Sequence, residues 1–372
     1  MSNVRVAFRI LDNGEVVPRC HTWVRCHMIF DVKMENFRRK ARLVAGGNMT
    51  KVPPSVTYAI VVCRETVRIT LTIAALNGLE VKAGDVLNAY ITAPVTEKIW
   101  TTLGPEFGSD AGKTAIIVRA LYGLKSSGAA FRAHLGGCME SLGYVPCLAD
   151  PDLWMKPVAR PDGTEYYSYM RVYVDDILVI HHDAIPILKQ VDAFMKLKES
   201  SVGDPDIYLG AKLKKVRLKN GTWAWSLSAS KYVQEAVRNC AKHIKAHYKD
   251  EFELVKHAPN PFPVSYEPET DVSPLLDPDA ASYYQTVIGV IRWMVELGRI
   301  DIATEVSKLS SFLAMPRQGH MVAALHIMSY LRVKHNSRLV LDPSYPQIDM
   351  SVFKSNEGWS KFCGDVKEAK PT

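Results

Sequence analysis

Apolar residues recur along this chain with two different periods. Between Met170 and Ile180, Met170, Val172, Tyr173 and Val174 lead into Asp175-Asp176, and Ile177-Leu178-Val179-Ile180 follow. β-Branched and aromatic residues favour strands and aspartate tolerates turns, so the run predicts strand, tight acidic turn, strand. The run through Leu79 and Val81 predicts another strand, ending at Asp85. Val216–Leu218 and Trp223–Leu227 flank Asn220-Gly221, a strong hairpin signal. Helical spacing governs Val67–Leu76 and Phe131–Leu142, the second stopping at Gly143. From Ser230 the 3.6-residue period dominates. Val233, Ala236, Val237, Cys240 and Ile244 share one face. Residues 259–279 are proline-rich and acidic and read as a linker. Three further stripes follow: Val287, Ile291, Met294, Val295; Ile302, Val306, Leu309, Leu313, with Asp301 as N-cap; and Met321, Leu325, Met328, Leu331. Residues 1–24 show no clear pattern and predict a frayed lead-in.

The chemistry lies in three acids. Asp85 stands alone at a strand end, while Asp175 and Asp176 sit between two apolar strands. Adjacent carboxylates repel and resist burial unless something cationic neutralises them. Oxygen ligands suit magnesium, which keeps waters and substrate phosphates in its shell. Two such ions about 4 Å apart could activate a hydroxyl and stabilise a leaving pyrophosphate. A solvated acidic turn and a turn aspartate remain the plain alternatives for each element taken singly.

At this point the chain resembles the reverse transcriptases of copia-type long-terminal-repeat retrotransposons. The resemblance runs in order through Lys40-Ala41-Arg42-Leu43-Val44-Ala45, Asp85-Val86 with Asn88-Ala89-Tyr90, and Leu121-Tyr122-Gly123-Leu124-Lys125. It continues through Ala149-Asp150-Pro151-Asp152-Leu153-Trp154, Tyr173-Val174-Asp175-Asp176-Ile177-Leu178, Tyr208-Leu209-Gly210 and Arg299-Ile300-Asp301-Ile302-Ala303. It implies an α+β polymerase right hand. Fingers and palm with an antiparallel sheet span 25–227, and a thumb helix region spans 228–258. After the linker at 259–279, a helical thumb or connection region covers 280–341, and a tail at 342–372 leads toward an absent ribonuclease H domain. It implies that Asp85, Asp175 and Asp176 hold two Mg2+ ions and catalyse RNA-directed DNA synthesis. Tyr90 would be the gate against a ribonucleotide's 2′-hydroxyl, and Lys40 and Arg42 would meet the triphosphate. Lys125, Tyr208, Leu209 and Gly210 would face nucleic acid. The implied partners are an RNA template, a DNA or tRNA primer, deoxynucleotides and other parts of a Pol polyprotein. The implied location is a cytoplasmic retrotransposon particle, or the nucleus.

The sequence also departs from the family. After Lys125 the family often writes glutamine, and arginine follows three residues later. Here Ser126 and Ala129 stand in those places, so Ser126 is the remaining candidate for that nucleotide contact. A remnant that only binds nucleic acid is the rival reading. A two-metal nuclease is a third, though it has no use for a sugar-gating tyrosine.

Gly108 to Thr114 imitates a phosphate-binding loop with one residue too few between its glycines. Cys20-His21 and Cys26-His27 have no second ligand pair at a zinc-finger spacing. The net charge of +7 favours a polyanionic partner, most sharply where Lys33, Arg38, Arg39, Lys40, Arg42 and Lys51 face only Glu35. Seven scattered cysteines suggest reduced thiols and an intracellular site, and no apolar run is long enough to span a membrane.

Overall fold

The computed structural model describes residues 6–33, 38–50, 64–248 and 251–344. Glu35 and Lys51 of the basic stretch, and the tail beyond 344, lie outside them. Along the chain come β1 (Phe8–Ile10), β2 (Thr22–Trp23), β3 (Cys26–Lys33), β4 (Arg38–Ala45), α1 (Arg64–Leu76) and β5 (Glu80–Asp85). Next come α2 (Ala89–Thr92), β6 (Ile99–Thr102), β7 (Thr114–Ile117), α3 (Ser127–Ser141), β8 (Val145–Pro146), β9 (Leu153–Ala159), β10 (Glu165–Tyr173), β11 (Asp176–His181) and α4 (Ile185–Phe194). The last part adds β12 (Ile207–Tyr208), β13 (Ala211–Arg217), β14 (Trp223–Ser228), α5 (Ser230–His247), α6 (Pro278–Glu296), α7 (Ala303–Ser310), α8 (Gln318–Val333) and β15 (Leu339–Leu341). The architecture is α+β, with the helices of the last third gathered after the main sheets.

A five-stranded antiparallel sheet in the order β5-β11-β10-β9-β8 is the centre of the molecule. Its middle strands are largely apolar on both faces because both faces are covered, with Ser168 and Arg171 of β10 as buried polar exceptions. Met170, Val172, Ile177 and Val179 pack with Phe131 and Leu135 of α3 and Leu188 and Val191 of α4. Val81, Leu178 and Ile180 point the other way, into a second cluster with Val67, Leu213, Val233, Ile291 and Leu325. Each such side chain contributes roughly 1.5–3 kcal/mol on burial. A third core under β4 and the sheet β1-β7-β6-β2 holds Phe8, Leu43, Ile99, Phe107, Ile117 and Leu121.

Several expectations need correction. From residue 6 onward the lead-in is not frayed. β1 pairs with β7, β2 pairs in parallel with β6, and Ala7, Phe8 and Val24 are buried. Strands of two or three residues leave too short an alternation to detect. Residues 259–279 are not a free linker. Phe262 and Tyr266 pack on the second cluster, and His320 Nε2 lies 3.0 Å from the Pro268 carbonyl. Proline and acidic composition mark chain without its own ladder, but do not say whether its aromatics find a core. That second core also crosses every boundary placed between 227 and 280, so the last third packs as part of one body with the central sheet. Asp301 does not cap α7. Its carboxylate takes both arms of the Arg299 guanidinium, at 2.8 and 2.7 Å, and Ile302 is the N-cap, without a side-chain bond. The side-chain cap belongs instead to Asp277, which accepts from the Asp279 and Ala280 amides at the start of α6.

The end of β4 is locked to the turn at Leu121–Leu124. The Ala45 amide donates to the Tyr122 carbonyl at 2.8 Å, and Gly123 has φ +93°. A Cβ on Gly123 would lie 2.1 Å from the Ala45 carbonyl oxygen. Gly123→Ala should therefore destabilise the fold by about 1–3 kcal/mol. Urea denaturation will read this, and an unchanged midpoint would refute the close approach.

Candidate active site

Register decides where the acids go. Asp176 pairs with Tyr173 across the β10–β11 hairpin and with Asp85 across β11–β5. The two-residue loop is therefore Val174-Asp175, and Asp176 is already the first residue of β11, not part of the turn as the sequence reading had it. Two-residue loops demand positive φ, and Val174 supplies it at 51°. For a β-branched residue this is strained backbone, worth about 1–3 kcal/mol. One oxygen from each of Asp85, Asp175 and Asp176 can be chosen so that all three lie within 4.8 Å of one another. Among the described residues no other group of three or more His, Cys, Asp or Glu side chains meets this criterion.

The free edge of β5 is closed by the segment after α4. Lys198 N donates to Asp85 O at 2.8 Å, Asp85 N to Ser201 Oγ at 2.8 Å, and Ala83 N to Gly203 O at 2.7 Å. This fixes the Lys198 ammonium 2.5 Å from Asp85 Oδ2 and 3.9 Å from Asp175 Oδ2. Asp85 Oδ1 is buried without a hydrogen-bond partner among the described residues. Burial first, and the Asp85 charge second, hold the Asp175 carboxyl above its ordinary range, with Lys198 opposing.

A cavity of about 200 Å3 opens beside the acids. Lys40 and Arg42 of β4 line it, with Asp175 and Lys198 across from them. Tyr90, on the short helix α2, forms another wall. Its ring lies 4.6 Å from that of Tyr122, and the Arg42 guanidinium stands 5.9 Å from the Tyr122 ring. Asn88, with φ 55°, turns the chain from β5 into α2 and also lines the cavity. Burial raises both phenols above their ordinary values, so both rings enter as neutral walls.

The remaining sequence candidates are placed elsewhere. Ser126 is buried and donates its hydroxyl to Glu97 at 2.7 Å, so it does not reach the cavity. Lys125 Nζ donates to the Thr50 carbonyl at 2.5 Å. Tyr208 is buried inside the second core, and its hydroxyl has no hydrogen-bond partner among the described residues. Leu209 and Gly210, at φ 53° and 83°, make the tight turn from β12 to β13. The sequence does not single out Lys198, Tyr122 or Asn88. Tyr122 and Asn88 lie inside quoted motifs, but nothing local to Lys198 signals a partner 113 residues away.

Residues 7–242 match the family described as reverse transcriptase (RNA-dependent DNA polymerase). The Retrovirus-related Pol polyprotein from transposon RE1 of Arabidopsis thaliana is 25% identical over 87% of this chain. That from transposon TNT 1-94 of Nicotiana tabacum is 26% identical over 85%. The chain spans only 21% and 24% of those two relatives. A putative transposon Ty5-1 protein of Saccharomyces cerevisiae is 25% identical over 66% of this chain and 74% of its own length. Among solved structures, a foamy viral protease-reverse transcriptase in complex with double-stranded DNA is 13% identical, with TM-score 0.43. It covers 88% of this chain and 45% of that one.

The crowded acid has a consequence for stability. The native state holds the Asp175 proton to higher pH than the unfolded chain, whose value is near 3.8. Between those values the native state binds more protons, so this contribution to stability is lost as pH rises. In metal-free buffer, Asp175→Asn should flatten that fall and melt at or above the wild-type temperature at neutral pH. A variant that melts lower there would show that the carboxylate is not under electrostatic load.

Proposed function

This chain belongs to the reverse transcriptase (RNA-dependent DNA polymerase) family, and from that premise we propose that it is the polymerase segment of a copia-type retrotransposon. It extends a base-paired primer with deoxynucleotides. The observation that carries the reading is the meeting of Asp85, Asp175 and Asp176, with Asp175 lining a cavity that Lys40, Arg42 and Lys198 also line. In this reading β3 and β4 belong to the fingers, the central sheet is the palm, and the helices after β14 serve as thumb and connection.

The donor set fits a hard divalent cation. It is three carboxylates, with one buried oxygen, Asp85 Oδ1, left without a partner. Those residues would hold two Mg2+ ions. Bound there, magnesium supplies a more acidic primer 3′-hydroxyl and neutralises charge on the leaving pyrophosphate. The chain's own groups do the rest. Arg42 presents a fork suited to phosphate oxygens, and Lys40 and Lys198 add point charges on the same cavity. Tyr90, backed by Tyr122, packs against the sugar and leaves no room for a 2′-hydroxyl. Template choice comes from base pairing, while the +7 chain grips phosphate backbone. The partners are an RNA template, a DNA or tRNA primer and deoxynucleotides, inside a cytoplasmic particle with the other parts of a Pol polyprotein. No feature of the site favours a remnant that binds without catalysis.

Primer extension on an RNA template with magnesium tests the reading. Asp85→Asn should lose at least about a hundredfold in rate. Equal extension by wild type and variant would sink it. Tyr90→Ala should raise ribonucleotide incorporation relative to deoxynucleotide, and unchanged sugar selection would remove Tyr90 from the gate.

A further inference from the structure

The acidic hairpin carries two of the three carboxylates on a strained tip, and strained tips persist only where their surroundings over-determine them. The residues immediately upstream on β10 show an anchor that the reaction chemistry does not call for. Arg171 is 0% exposed, deep between β9 and β11. Its Nη2 lies 3.2 Å from Asp150 Oδ2, in a pair whose carboxylate is also buried. Asp150 Oδ1 accepts from the Asp152 amide at 3.1 Å, and the Asp152 carbonyl accepts from the Val172 amide at 3.0 Å. The Asp152 carboxylate in turn holds Arg132 of α3 at 2.9 Å. Four side chains thus tie β10, the 149–153 turn and α3 together two residues before Tyr173.

Register aims this anchor at one of the acids. Arg171 sits opposite Leu178, and Tyr173 sits opposite Asp176. Arg171 and Asp176 are therefore diagonal neighbours on one face of the sheet, within reach of a long side chain. The Tyr208 phenol, buried at 4% exposure, lies on that face too, and its hydroxyl has no hydrogen-bond partner among the described residues. Burial drives its acidity down, with the Arg171 charge opposing and the Asp176 and Asp152 charges adding to the effect.

We propose that the buried Arg171–Asp150 ion pair is a positioning device for the acidic hairpin, fixing the Asp176 carboxylate for divalent-cation binding. The inference rests on the reading of the three acids as cation ligands. It adds that their geometry is set by a charge pair that touches neither nucleotide nor primer. A buried ion pair is weak evidence of a stabilising role, because apolar replacement of both partners is often neutral or favourable. Removing one partner alone strands a buried charge, which confounds stability with geometry.

The double variant Arg171→Met with Asp150→Asn avoids that confusion, since it removes both charges and keeps an acceptor for the Asp152 amide. Mn2+ and Mg2+ binding to the full chain is measured by calorimetry, with primer extension as a separate readout. We expect the double variant to melt cooperatively near wild type, to bind the ions about ten- to a hundredfold more weakly, and to lose a similar factor in kcat. KM for deoxynucleotide and the Kd for primed duplex should not move. Wild-type ion affinity in the folded double variant overturns the proposal. Should the double variant fail to fold, Arg171→Lys decides. It keeps the charge and loses the fork, so weakened ion binding in a folded protein supports positioning and unchanged binding overturns it. If wild type itself binds no divalent ion, the functional reading and this inference fall together. If wild type binds and extends and only the variants match it, this inference falls alone.

Discussion

Three carboxylates whose oxygens gather within 4.8 Å repel one another, by about 3 kcal/mol per ionised pair at an effective dielectric near 20. They are also half-buried, so water relieves little of that load. The fold holds them together with backbone. Asp85 and Asp176 are cross-strand partners, and Asp175 is fixed one residue away by a two-residue loop that Val174 can close only at positive φ. One ammonium, from Lys198, offsets part of the charge and leaves Asp85 Oδ1 unsatisfied. The rest of the structure can be understood as what is needed to keep this unfavourable cluster in place.

A sheet covered on both faces meets that need. The helices α3 and α4 pack on one side and the second core, with the C-terminal helices, packs on the other. Strands pressed from both sides cannot slip register without turning apolar side chains into the wrong core, and a slip of one residue would also separate the acids. The second core explains why the last third of the chain belongs with the sheet. α5, α6 and α8 complete a surface that Leu178 and Ile180 would otherwise expose. The segment at 259–279 is drawn into the same core by Phe262 and Tyr266.

Local signals in the sequence were reliable where the structure is local. The acidic hairpin, the Asn220-Gly221 hairpin and the helical stripes after Ser230 formed close to where periodicity put them. The failures also follow from physics. β1 and β2 are too short to show alternation and exist because longer strands pair with them. Ser126 was read by analogy of position, yet Glu97 captures its hydroxyl from a loop 29 residues away. Tyr208 was read as facing a ligand, yet its ring is core. Asp301 carries the composition of a cap, but Arg299 offers it a stronger, charge-assisted pair.

The sequence by itself determined the chemical inventory and the class of the protein: which acids, which tyrosine, which basic strand, and their order along the chain. Tertiary structure alone decided that Lys198 stands against Asp85, that Tyr122 backs Tyr90, and that Arg171 lies buried beneath the hairpin. Periodicity records which face of an element is apolar, and short motifs record which residues share a turn. Neither records which distant segment closes an edge or neutralises a charge, because those partners are selected by register and packing between elements more than a hundred residues apart.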